Sequence, residues 1–176
     1  KNLLGLMAGG SSLTEVLASL CQLIQAALDD ALCGAVLVAP RRTRSPQEAV
    51  LRMQPDTGPD MPNDLLEEVD GRPLESDTSP VMLAATSGEP VISADLNREA
   101  RWKTWCTKAL AHGMRASWAI PITCSFGETS GVLSIRCRQA QALTLSQQKL
   151  IAQFTHLASI AIDRARAMAA LKQSEA

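Results

Sequence analysis

The chain of 176 residues contains no tyrosine, only two phenylalanines and almost no net charge, at −1 with 20% of residues charged. So even a balance gives no attraction toward polyanions, and no nucleic-acid partner is expected. The five cysteines, Cys21, Cys33, Cys106, Cys124 and Cys137, are odd in number and include no CxxC pair. Neither a disulfide framework nor a zinc site follows from that spacing, and a reducing, cytoplasmic compartment fits it. No apolar run is long enough to cross a bilayer, and the amino end lacks the features of a signal peptide, so no direct membrane contact is expected. No phosphate loop, Ser-His-Asp set or paired-carboxylate arrangement is legible, and neither His112 nor His156 sits in a recognisable motif. The expectation is a non-enzyme.

What is present fits one domain with a full core, at 46% hydrophobic residues. The start at Lys1 reads as a piece of a longer protein. Residues 1–11 read as the end of a connecting helix closed by two glycines, 12–165 as the domain, and 166–176 as the start of a second connecting helix. Ser12 and Glu15 form a capping-box pattern ahead of Leu13, Val16, Leu17, Leu20 and Ile24 at helical spacing. GAVLVAP (34–40) and AVLRM (49–53) read as a first hairpin. The stretch from Pro55 to Ser79 is acidic and proline-rich, a solvated loop with one short helix near 62–69. Ser79 and Pro80 then open a short helix, and Val91 and Ile92 mark a small strand. Residues 93–103 read as irregular, and a helix from Thr104 to Ala111 is stopped by Gly113.

Strands at 114–122 and 131–138 flank SFGETS as a second hairpin. A register in which paired numbers sum to about 255 puts Ala116, Trp118, Ile120 and Ile122 on one face with Leu133, Ile135 and Cys137. The opposite face collects Ser117, Ala119, Pro121, Ser134, Arg136 and Arg138. A closing helix from Ser146 to Leu171 carries two apolar stripes, one of them Ala158, Ile162, Ala165 and Ala169. That second stripe is the expected contact of a homodimer.

This order, with GEPVISADL, RW, HGMRASWAIPI, GVLSI and LIAQFTHLASIAIDRA along it, resembles a GAF domain, the small sensory module of bacterial signalling proteins. The likeness covers nearly the whole chain and is nearest the subgroup found ahead of histidine kinase and cyclic di-GMP cyclase or phosphodiesterase modules. It implies an α+β fold with a central antiparallel sheet of five to six strands. Terminal helices would pack on one face and a loop-and-helix flap over a pocket on the other. Ser117 and Ala119 stand where that subgroup often has cysteine and serine around the tryptophan. TSPVM replaces a glycine- and cysteine-containing turn, and Ser134, Arg136 and Arg138 replace small apolar residues.

The resemblance raises haem, bilin and cysteine chemistry, none of which these residues favour. His112 precedes a helix-ending glycine, and His156 lies in an apolar helix. Cys106 lies close to Gly113 without the neighbouring histidine or tyrosines of a bilin site, and Cys124 and Cys137 fall at opposite ends of their hairpin. No cofactor is therefore expected. The implied ligand site is the polar face of the second hairpin beneath a flap carrying Trp102 and Trp105, with Arg115, Ser117, Ala119, Ser134 and Arg136 as its other residues. The bland alternative leaves that face open to water, its arginines solvated. The implied function is sensing or partner reception, relayed through the terminal helices to a covalently linked output domain. The alternative is a ligand-free dimerisation or interaction domain.

Overall fold

The computed structural model describes residues 3–40, 49–53, 71–74 and 78–175. Helix α1 (Leu3–Ala8) leads through two glycines to α2 (Leu13–Ala27), whose cap is the expected one: Ser12 Oγ accepts from the Glu15 N–H at 3.2 Å. That bond satisfies an amide the first turn would leave open. Strand β1 (Ala31–Pro40) pairs with β2 (Ala49–Met53), giving the first hairpin. The short helix anticipated near 62–69 lies outside the described residues.

Helix α3 (Pro80–Ser87) begins at the Ser79 cap, whose Oγ accepts from the Met82 N–H at 3.2 Å, and strand β3 (Val91–Ser93) follows. The stretch expected to be irregular contains a 3₁₀ turn at Leu96–Arg98. Helix α4 (Lys103–Ala111) ends before Gly113, whose φ of 80° is the left-handed stop that glycine supplies without strain. Strands β4 (Ala116–Thr123) and β5 (Thr129–Cys137) form the second hairpin, and α5 (Leu145–Glu175) closes the chain.

The described strands form one five-stranded antiparallel sheet in the order β2-β1-β5-β4-β3. Paired numbers in the β4–β5 hairpin sum to 253 rather than 255, as in Ala116 with Cys137. A slip of two residues preserves the alternation, so every side chain keeps its expected face. Ala116, Trp118, Ile120, Ile122, Leu133, Ile135 and Cys137 pack with α2 and α5 into one core. The other face packs Leu32, Val36, Ala119 and Val132 against α3, Leu96 and α4 in a second core. Gly131 makes close strand approach tolerable, since a Cβ there would fall 2.7 Å from the Val36 carbonyl oxygen.

The helix stripe requires a correction. Ala158 and Ile162 are wholly covered by the chain's own α2 side and cannot form an outward face, whereas Ala165 is half-buried and Ala169 exposed. The large apolar residues that α5 turns outward are Leu145, Ile160, Met168 and Leu171. No described helix is long and apolar enough to cross a membrane.

Candidate functional site

Register alone assembles the floor of the site. On the flap side of the sheet, Leu32, Arg136, Ser117 and Ser93 form a row across β1, β5, β4 and β3. Gly34, Ser134, Ala119 and Val91 form the next row, because side chains two apart share a face. The second row is mostly small, so the middle of this face carries little side-chain volume.

The alternative of a water-open face does not hold. Helices α3 and α4 cover it, leaving Arg136 and Ser117 each 2% exposed and Ser134 4%. Trp105 lies over Arg136, with the guanidinium carbon 5.4 Å from the ring centroid, an attractive geometry for a cation and a ring face. Burial lowers the Arg136 pKa to about 10, against a smaller opposing influence from Cys33, so the group is still a cation at neutral pH. The Ser117 and Ser134 side chains stand beside it on the same face. Arg138 departs from the group. It is exposed and pairs with Asp30 at 3.1 Å.

Trp102 and Trp105 reach the flap by different means. Trp105 comes from the first turns of α4, while Trp102 caps that helix with φ 54° and ψ 50°, left-handed backbone for a bulky residue. Such a conformation costs about 1–3 kcal/mol and needs support. Glu99 provides it, accepting from Ser93 Oγ at 2.6 Å and from Arg101 Nη2 at 2.9 Å and Nε at 3.1 Å. The Arg101 guanidinium in turn lies 4.2 Å from the Trp102 ring centroid. Hydrogen bonding from Arg101, reinforced by Ser93 and opposed by desolvation, holds the Glu99 carboxyl at about 2. Sequence reasoning missed Glu99; its signal is the spacing of an acid two residues before an arginine that adjoins Trp102.

Arg115 is at the rim, outside the floor. Its Nη2 donates to Asp95 Oδ1 at 3.5 Å and, with the Asn97 amide turned to suit, Nε and Nη2 donate to the Asn97 oxygen at 3.2 and 3.0 Å. The 3₁₀ turn is thereby tied to the start of β4. Arg98 pairs with Asp95 at 3.9 Å and Arg101 with Glu99 at 2.9 Å, both within the segment between β3 and α4.

The thiols do not converge on this site. Burial pushes Cys106 upward and Cys137 to about 11, and a hydrogen bond with Cys21 followed by burial raises Cys33. Cys124 is partly exposed at the far hairpin end. Among the described residues no cluster of three histidine, cysteine or acidic side chains is placed to hold a metal.

A GAF-domain family model matches residues 10–163. The chain belongs to the GAF domain family. One relative of this GAF domain is a methyl sulfide methyltransferase-associated sensor from Methanosarcina acetivorans, 28% identical over 169 residues. That match covers 96% of this chain and 16% of the relative, so the domain spans about a sixth of the relative's length. A domain of a protein described as a two-component sensor histidine kinase, from Sinorhizobium meliloti, superposes with a TM-score of 0.70 at 17% identity, covering 93% of this chain and 99% of that one.

A free methionine-R-sulfoxide reductase from Neisseria meningitidis superposes with a TM-score of 0.67 at 16% identity, covering 94% of this chain and 87% of that one. This overturns the expectation of a non-enzyme. That expectation rested on missing motifs, yet the same architecture is an enzyme's, and the absence of familiar hydrolase or phosphate-loop patterns does not bear on such chemistry.

Proposed function

We propose that this GAF domain is the sensory part of a larger cytoplasmic signalling protein, of the kind that carries a histidine kinase or a cyclic di-GMP cyclase or phosphodiesterase. A small ligand beneath the flap, bounded by Trp102, Trp105, Ser117, Ala119, Ser134 and Arg136 with Arg115 at the rim, shifts α4, and α5 passes the change to the output domain. One observation carries the reading: two buried serine hydroxyls and a buried guanidinium sit together on a floor of small side chains under a helix. A structural core gains nothing from such groups, whereas a ligand site needs a few fixed polar atoms among apolar walls.

Relay requires that the ligand bind two arrangements unequally. In a homodimer the terminal helices would meet along the outward residues Ile160, Met168 and Leu171. A second reading, a ligand-free dimerisation domain, draws on the continuous packing of Trp105, Ala109 and Met114 over the sheet.

Native mass spectrometry of the purified chain separates the two. The sensory reading expects a retained small molecule that Ala119→Leu, which fills the floor, releases. An unladen chain whose parent protein keeps its signalling output after Ala119→Leu speaks for the second reading and against the first.

A further inference from the structure

Resting on the flap-side ligand site, we propose that its ligand is a small monocarboxylate, its carboxylate held by Arg136, Ser117 and Ser134 and its hydrocarbon part lying over Gly34, Ala119 and Val132. The three donors occupy one cell of the β4–β5 ladder. Ser117 is directly opposite Arg136, and Ser134 is two residues before Arg136 on the same face. Directly paired side chains start about 5 Å apart and those two apart along a strand about 7 Å, a span suited to one compact anion.

Charge count narrows the class. Arg136 is the one buried charged residue among those described. One guanidinium neutralises one negative charge, and a buried dianion such as a phosphate monoester would keep an uncompensated charge in an apolar surround. That surround is Val36, Val81, Met82, Leu96, Ala109 and Val132. A guanidinium flanked by hydroxyl donors matches the planar, two-oxygen acceptor of a carboxylate.

The guanidinium is already engaged within the chain, by the Trp105 ring among other contacts. A carboxylate therefore enters by exchange, and the Trp105 ring of α4 is one of the contacts it meets. Occupancy and flap position become one equilibrium, which is what a relay needs.

The test is titration of the purified chain with a panel of aliphatic and aromatic monocarboxylates, each beside its uncharged primary amide, with inorganic phosphate as a further probe. Calorimetry and thermal melting read the result. At least one carboxylate should raise the melting temperature saturably and bind about tenfold or more tightly than its amide. Arg136→Met should remove that preference, and Arg136→Lys should retain it. Ser117→Ala, a one-atom change that keeps the fold should Arg136→Met not, should weaken binding about tenfold. Equal binding of acid and amide, preference for phosphate, or a neutral molecule retained in native mass spectra overturns the monocarboxylate assignment while leaving the ligand site standing. No binding by any probe together with an unladen chain overturns both.

Discussion

Glu99 shows how much of the flap depends on a single carboxylate. It ties Ser93 on the sheet to Arg101 beside the strained Trp102, and no other described acid joins the two. Because its folded pKa, about 2, lies below the ordinary 4.5, its contribution to stability is complete above pH 4.5 and is lost as pH falls toward 2. Glu99→Gln should cost about 1–3 kcal/mol at neutral pH and flatten the fall in stability between pH 4.5 and 2, read by urea denaturation at stepped pH. An unchanged acid slope would mean that another group carries it. The same residue marks where sequence reading stopped. Its role depends on Trp102 adopting left-handed backbone, which nothing in the local pattern signals, whereas Gly113 announces its own conformation by being glycine.

At the scale of the element, α5 and the second hairpin were legible to different depths. Hairpin faces followed from alternation, which survives a register error of two residues. The depth of the polar face did not follow, because an arginine in alternation reads as solvent-facing, and only the layer of α3 and α4 above it decides otherwise. In α5, alanines recur at nearly every angle around the axis, so spacing could not tell the inward stripe from the outward one. Ile162→Glu should therefore destabilise the fold by about 3–5 kcal/mol by burying an unpaired charge, seen as a lowered melting temperature. Ile160→Glu, on the exposed side, should change stability by no more than about 0.5 kcal/mol. If the terminal helices pair, it should also shift sedimentation toward monomer. For the sheet, Gly131→Ala should cost about 1–3 kcal/mol, since its new methyl meets the unyielding Val36 carbonyl. A neutral result in denaturant titration would show that β1 and β5 separate more readily than their packing indicates.

At the scale of the whole molecule, the sheet is a partition between two cores, and the closing helix is fastened to β1 and to α1. Arg166 donates to the Val38 carbonyl at 2.8 Å, and Arg164 donates to the Met7 carbonyl. Both anchors hold main-chain oxygen, so they fix the course of α5 with little regard to neighbouring side chains. Arg166→Ala should increase hydrogen exchange in α5 beyond residue 165 and leave α4 unchanged, as mass-resolved peptides would record. Equal loosening of α4 would argue for one rigid body.

The placement of the three tryptophans gives this partition an optical consequence. With no tyrosine in the chain, near-ultraviolet emission comes from Trp118 in the core beneath α2 and α5 and from Trp102 and Trp105 in the core beneath the flap. Replacing Trp118 by phenylalanine leaves a protein that glows only from the flap side, and replacing the other two leaves one that glows only from the helix side. The same polypeptide can thus be watched layer by layer, without a dye, while a ligand enters or the chain melts.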